Sequence, residues 1–200
     1  MEISAKEILA IGIDLMDTLI YDPFREAVTD ATGLSLADLA PLRNRDAWHA
    51  FELDQIDEQG YAAEFFKPEV GRRLDVARLK ARLREGYHFL DGMESLLAEL
   101  SERRAVHILS NYSRWYEHLR ERFALDRFVT AHHPSWQLGV RKPAREYFER
   151  VLERIEVRPS ALLFIDDRQQ NVDGARKVGI PALLFRGGAV LRRELAPLLN

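Results

Sequence analysis

An apolar run, Ile8-Leu9-Ala10-Ile11-Gly12-Ile13, stops abruptly at a carboxylate, Asp14. A short continuous apolar run of this kind reads as a buried strand. A carboxylate at the end of such a strand must find a partner, because an unpaired buried charge is costly. Taken alone, Asp14 reads equally well as a helix cap or as a working residue. The layout recurs, however. Ala105-Val106-His107-Ile108-Leu109 runs into Ser110-Asn111, and Ala161-Leu162-Leu163-Phe164-Ile165 runs into Asp166-Asp167. Strands of this type alternating with helices argue for a parallel sheet covered on both faces, an α/β fold. Right-handed connections bring such strand ends to one edge. Ligands bind outside the carboxyl ends of strands in open sheets.

The intervening chain fills in the architecture. From Asp22-Pro23 to about residue 88 the spacing is helical and nothing reads as strand. Phe24, Ala27, Val28 and Ala31 mark a first helix ended by Gly33, and Ser35 caps a short one. Trp48, Phe51 and Ile56 continue the period, and Asp57 caps a helix through Tyr61 and Phe65 that Pro68 closes. A further helix carries Leu74, Leu79 and Leu83. Trp48, Phe51, Phe65 and Phe66 read as the core of this insertion. Strand-helix alternation resumes with helices over 93–100, 114–123, 145–155 and 171–178 and a closing helix over 190–199. Phe128-Val129-Thr130 reads as a third strand followed by a surface pair, His132-His133, and 181–185 as a last strand. Two units are therefore expected: a core of residues 1–21 and 89–200, and a helical insertion over 22–88.

Composition narrows the class. A hydrophobic fraction of 46% and a charged fraction of 30% are those of a globular protein. A net charge of -3 gives no pull toward nucleic acid or anionic membrane. The chain has no cysteine, which excludes disulfides and thiolate metal sites. Met1 to Glu7 lacks the layout of a signal peptide. No apolar run approaches bilayer-spanning length. The expectation is a cytoplasmic monomer or homodimer that binds a small molecule.

The polar strand ends suit phosphoryl transfer. A carboxylate can attack phosphorus and form an acyl phosphate. Clustered carboxylates repel one another unless a hard cation sits among them, and oxygen ligands with room for water and phosphate suit Mg²⁺. Ser110 and Asn111 can donate hydrogen bonds to phosphoryl oxygens. Lys142, in the Gly/Pro loop Gly139-Val140-Arg141-Lys142-Pro143, can neutralise developing charge and keep the nucleophile ionised. Arg141 beside it reads either as a phosphate or substrate-tail ligand or as a solvated side chain. Trp136 reads as a pocket wall or as an ordinary loop residue. Trp115-Tyr116 can stack on a flat ring, but a helix after such a strand more often buries its aromatics.

In their order along the chain, Asp14…Thr18, Ser110-Asn111, Lys142-Pro143 and Asp166-Asp167…Asn171 resemble the motifs of the haloacid dehalogenase (HAD) superfamily. Asp14-Leu15-Met16-Asp17-Thr18-Leu19, Asp22-Pro23-Phe24, Phe89-Leu90-Asp91-Gly92-Met93 and Phe164-Ile165-Asp166-Asp167-Arg168 resemble a plant and bacterial branch that includes a plastid flavin mononucleotide hydrolase. The resemblance implies a Rossmann-like three-layer sandwich, a parallel sheet of strand order 5-4-1-2-3, and a helical C1-type cap at 22–88. It implies an Mg²⁺-dependent phosphatase acting on a small phosphomonoester, with Asp14 as nucleophile and metal ligand. Asp167, Asp166 and the backbone carbonyl of Met16 would complete the protein's share of the metal shell. Thr18 and Ser110 would position nucleophile and phosphoryl group.

One position departs from the family. Its phosphatases carry an acid/base aspartate two residues after the nucleophile, and here that residue is Met16. A thioether cannot move a proton. Either Asp17, one residue on, takes the role, or Asp17 only holds the turn and the leaving group needs no acid. Two alternatives follow: a catalytically weak member that binds a phosphorylated ligand or a partner, or a 2-haloacid dehalogenase. Dehalogenases also lack that aspartate, but Asp166-Asp167 would repel a carboxylate substrate.

Overall fold

The computed structural model describes residues 7–199. Residues 1–6, part of the stretch read above for a signal layout, and residue 200, at the far end of the expected core, lie outside the described residues. Among those described, no helix is long and apolar enough to cross a membrane.

The sheet has five strands, β1 (Ala10–Ile13), β2 (Ala105–Ser110), β3 (Ala131–Pro134), β4 (Leu162–Asp166) and β5 (Ala182–Leu184). Their order is β3-β2-β1-β4-β5, with every pair parallel. This is the expected order read from the other edge. Ile13 stands opposite both Ile108 and Ile165. One residue further along, Asp14 therefore comes level with Asp166, at the point where the chain has gone out to one side of β1 and returned on the other. That reversal is where open α/β sheets bind ligands.

Alternation along the strands feeds two cores. Ile11, Ile13, Val106, Ile108, Leu163 and Ile165 face one core, and Ala10, Leu109, Leu162, Phe164 and Ala182 face the other. The first core is covered by α6 (Met93–Ser101), α7 (Tyr116–Arg122), α11 (Gly188–Glu194) and α12 (Ala196–Leu199), through Leu96, Leu100, Leu119, Leu191 and Leu198. The second is covered by α8 (Ser135–Leu138), α9 (Arg145–Ile155) and α10 (Gln169–Lys177), through Leu138, Phe148, Val151, Val172 and Ala175.

Between β1 and α6 the chain forms α1 (Phe24–Thr32), α2 (Leu36–Leu39), α3 (Arg45–Glu52), α4 (Glu58–Glu64) and α5 (Val76–Gly86). The caps are those the sequence offers. Ser35, Asn44, Asp57 and Asp75 each accept a backbone N–H in the first turn of the helix that follows. Gly33 ends α1 at φ +69°, a left-handed conformation that a Cβ would strain. The two linkers to this insertion run against each other: Tyr21 N donates to His88 O at 2.9 Å, Leu90 N to Leu19 O at 2.9 Å, and Ile20 bridges Phe89. Phe51, Tyr61, Phe65 and Phe66 are buried as expected, and Phe51 stacks on Tyr61 with ring centres 4.8 Å apart. These residues join the same apolar cluster as the Ile11/Ile13 face of the sheet, so the insertion buries its apolar face against that core.

The third strand was expected at 128–130, and it lies at Ala131–Pro134. Residues 125–127 instead form a 3₁₀ turn, with Phe128 N and Val129 N both donating to Leu125 O. Val129 is buried as a plug beneath this turn, and the ladder begins only after it. The histidine pair is therefore in the sheet and not in a surface loop. His133 is buried, its Nε2 lying 3.2 Å from His107 Nδ1 on β2. His132 points the other way, bonded to Tyr116 OH and Asp126. His132 is bonded at both ring nitrogens, while His133 is bonded at Nε2 and leaves its buried Nδ1 without a partner.

Two predictions follow from this packing. Helix propensity alone makes Gly174→Ala stabilising by about 1 kcal/mol. A Cβ on Gly174 would lie 2.7 Å from Pro143 O, so the substitution is expected to lower the urea midpoint instead. Burial, reinforced by the neighbouring His107, pushes His133 down to about 4. A pKa below the unfolded value means stability is held above pH ~6.5 and lost as pH falls toward the folded pKa. Urea unfolding at pH 7 and pH 4.5 is expected to show a loss about 2 kcal/mol smaller in His133→Gln than in the parent. Equal losses would remove His133 from the account.

Candidate active site

Lys142 gathers the site. It follows α8 in the loop before α9, and only 1% of its side chain is exposed. Its Nζ donates to Asp14 Oδ1 at 2.7 Å, Asp166 Oδ2 at 2.7 Å and the Leu109 carbonyl at 2.5 Å. An ammonium has three donors, and all are used. The backbone of Lys142 is clamped as well. Its N–H donates to Asn111 Oδ1 at 2.8 Å, and its carbonyl accepts from Asn111 Nδ2 at 2.9 Å. The next residue, Pro143, follows a cis peptide bond and touches the α10 backbone where only glycine, Gly174, fits.

Asp14 continues the line of β1, its N–H donating to Ile165 O at 2.9 Å, and is itself buried. Burial pushes its carboxyl up to about 7 against the pull of Lys142. Burial opposes the charge on Lys142 too, but Asp14 and Asp166 outweigh it and hold the amine above its ordinary value. The two carboxylates of β4 divide their tasks. Asp166 is fully buried and saturated: Lys142 takes Oδ2, Asn171 Nδ2 spans both oxygens at 2.9 and 3.0 Å, and Arg168 N donates to Oδ1 at 2.8 Å. Asp167 Oδ1 is buried with no hydrogen-bond partner. Burial, then the Asp166 charge, pushes Asp167 up to about 6.

Asp14, Asp166 and Asp167 each place one oxygen within 4.8 Å of the others. Three carboxylates meet a single ammonium, so the cluster is one hard cation short of balance. The partnerless oxygen of Asp167 and the all-oxygen donor set fit a divalent ion of the Mg²⁺ type. Among the three, Asp14 and Asp167 have free capacity, while Asp166 is committed to holding Lys142, Asn171 and the turn into α10.

Beside the cluster opens a cleft of about 230 Å³. Asp14, Met16, Ser110, Asn111 and Lys142 form its floor, and Phe24, Arg43, Trp48, His49 and Glu52 of the insertion form its roof. Arg141 joins the two through an ion pair with the buried Glu52. The Glu52 carbonyl also accepts from Ser135 Oγ at 2.7 Å. Burial pushes the Glu52 carboxyl up to about 7, with Arg141 pulling it back.

The structure brings Asp14, Ser110, Asn111, Arg141, Lys142, Asp166 and Asp167 to one edge and sets Met16 beside them. Thr18 is fully buried under the turn, its hydroxyl without a partner, and does not line the cleft. Asp17 turns away. It sits at φ +55°, is exposed, lies outside the cleft wall, and its Oδ1 accepts from Asp22 N at 3.1 Å. Trp136 stacks under Arg114 and is not part of the wall. Tyr116 is buried and Trp115 packs edge-on against Phe51, so both serve the core. Trp48, expected purely as core, is half-buried and lines the cleft. Wall residues that sequence reasoning missed include Asp22, Phe24, Arg43, His49, Glu52 and Arg168. Asp22 stood out as a break in the chain and as part of the branch-like phrase Asp22-Pro23-Phe24, with no site role attached to it, and Glu52 looked like any polar position on a helix.

Comparison with known proteins agrees with this geometry. Residues 8–179 match the family model described as haloacid dehalogenase-like hydrolase. A chloroplastic flavin mononucleotide hydrolase of Arabidopsis thaliana is 35% identical over 98% of this chain and 80% of its own length. A sesquiterpene phosphatase of Aspergillus oryzae is 29% identical over 84% of this chain and 87% of its own. The crystal structure of a HAD family enzyme from Bacteroides thetaiotaomicron, in complex with magnesium and inorganic phosphate, superposes with a TM-score of 0.77 at 19% identity, covering 90% of this chain and 96% of that one. The matched span contains the first strand, the insertion, the lysine loop and the paired aspartates, and on that basis the chain belongs to the haloacid dehalogenase-like hydrolases.

Proposed function

We propose that the protein is a Mg²⁺-dependent phosphatase that hydrolyses a small phosphomonoester through a phosphoryl group carried on Asp14. The observation that carries this reading is the buried Lys142 ammonium between Asp14 and Asp166, with a partnerless Asp167 oxygen beside it. Lys142 favours the ionised, attacking form of Asp14 against the burial that would protonate it. Ser110 and Asn111 line the cleft at the end of β2 and would donate to phosphoryl oxygens, Asn111 with what its clamp on Lys142 leaves free. Asp14, Asp167 and the Met16 carbonyl would hold the cation, with Asp166 bracing the group from behind. The cation, when bound, neutralises charge on the phosphoryl oxygens and so lowers the repulsion that an anionic nucleophile meets.

The helical insertion over 22–88 serves as the cap that encloses the ester and selects its body. Phe24 and Trp48 offer aromatic faces and Arg43 a cation on the roof of the cleft. Those groups suit a flat, polar body, and a flavin mononucleotide-like substrate is the specific choice, supported by the 35% identical plant hydrolase. Met16 keeps a second reading in play, that of a weak enzyme which mainly binds a phosphorylated ligand. The dehalogenase reading is disfavoured by the clustered carboxylates.

A panel of phosphate esters that includes flavin mononucleotide tests the proposal with added Mg²⁺. Turnover of at least one ester is expected, abolished by chelation and restored by Mg²⁺. Asp14→Asn is expected to lower that turnover by about four orders of magnitude or more. Comparable turnover in the variant would remove Asp14 as nucleophile. Tight binding without turnover of any ester would favour the second reading.

A further inference from the structure

A phosphatase with Met16 in place of its aspartate still has to protonate an ordinary alkoxide as it leaves. Asp17 is exposed and lies outside the cleft wall, its Oδ1 accepting from Asp22 N. Apart from arginines and Tyr112, whose hydroxyl is paired with that of Tyr87, the titratable groups that line the same cleft away from the cation cluster are Asp22, His49 and Glu52. Glu52 is tied to Arg141 as a buried ion pair. His49 is exposed, and burial and Arg141 hold it below its ordinary value, which disfavours its protonated form.

Asp22 is in no ion pair among the described residues, and its surroundings favour the protonated form over the ionised one. It lies where the linker from β1 enters α1, and it lines the cleft together with Asp14, Ser110 and Lys142. Its Oδ1 accepts from Phe24 N at 3.0 Å, which fixes the carboxyl in the turn before α1. Its Oδ2 takes no donor among the described residues, and that oxygen is left to carry a proton. The groups around it are Asp17 and Glu26, the hydroxyls of Tyr87 and Tyr112, and one cation, Arg168. Burial is the largest influence on Asp22 and pushes it up to about 6, with Asp17 and Glu26 adding to it and Arg168 opposing. A carboxyl so placed holds a proton at neutral pH far more often than an exposed one.

We propose that Asp22 is the acid and base of the reaction, supplied from the cap linker in place of the residue lost at Met16. The assignment rests on the phosphatase reading above. In the first half, an Asp14 oxygen bonds to phosphorus as the ester P–O bond breaks, and the leaving oxygen takes the Asp22 proton. In the second, water bonds to phosphorus, the bond to Asp14 breaks with its electron pair returning to Asp14, and the proton from water goes back to Asp22. Ester and water become alcohol and phosphate, and both carboxyls are restored.

Leaving-group dependence tests this. The parent, Asp22→Asn and Asp14→Asn are compared by rapid mixing with Mg²⁺, on an alkyl phosphate monoester that the parent turns over and on p-nitrophenyl phosphate, whose leaving group needs no proton. Asparagine keeps an oxygen for Phe24 N, so the turn is retained. For Asp22→Asn the first-turnover rate on the alkyl ester is expected to fall by about a hundredfold to ten-thousandfold. On p-nitrophenyl phosphate the same variant is expected to release about one equivalent of p-nitrophenolate at near the parent rate and then turn over slowly, because water activation is lost. That burst also counts the folded sites. Alkyl turnover within tenfold of the parent would overturn the proposal, as would equal losses on both esters, which mark a structural role. If Asp14→Asn keeps turning over either ester, the phosphatase reading itself fails, whatever Asp22 does.

Discussion

A buried ammonium between two carboxylates organises this molecule. Lys142 reaches Asp14 and Asp166 at the same 2.7 Å and spends its third proton on a strand carbonyl. Such an arrangement is a poor source of stability, because taking the ions out of water offsets most of their mutual attraction. Its consequence is positional. A lysine that must satisfy three acceptors in a dry site has one place to be, and the loop that carries it is held to match. Asn111 clamps its peptide from β2, Asn171 holds Asp166 from α10, and Gly174 lets the loop lie against the helix. Four consecutive segments of the sheet are thereby locked to one point.

The same point leaves a deficit of positive charge. Asp167 contributes an oxygen that no protein group satisfies, and Asp14 is pushed toward its protonated form by burial. A structure that tolerates both is one built for a cation and an anionic phosphoryl group to complete it. The cleft above is closed by helices that share their apolar core with one face of the sheet. The paired linkers at 19–21 and 88–90 carry the chain between sheet and insertion, and Asp22 follows directly on the first of them.

Much of this was legible in the chain. Apolar runs ending in Asp14, Ser110-Asn111 and Asp166-Asp167 mark strand ends because burial on both faces leaves no other place for polar residues. Parallel topology then aligns those ends, and a lysine in a Gly/Pro loop is the natural counter-charge. The helix caps Ser35, Asp57 and Gly33 were equally readable, since their function is local. Less legible were positions whose meaning depends on a distant neighbour. His132 and His133 look like loop residues until His107, Tyr116 and Asp126 are seen beside them. Trp48 has the spacing of a core residue and yet faces the cleft.

Whereas the strand order was only what the family resemblance implied, the sequence by itself determined the α/β class and the identity of the carboxylates and lysine at the sheet edge. These follow from periodicity and from the cost of burying charge, which act within a few residues or along a whole strand. Only the tertiary structure decided between Asp17 and Asp22. Two aspartates within one connecting segment look alike to any spacing rule. A left-handed residue at Asp17 sends that carboxylate outward to hold the turn, while the linker leaves Asp22 on the cleft wall. The direction of a side chain in a turn is set by backbone dihedrals that the packing of linker against linker imposes, and no local pattern of residue types encodes it.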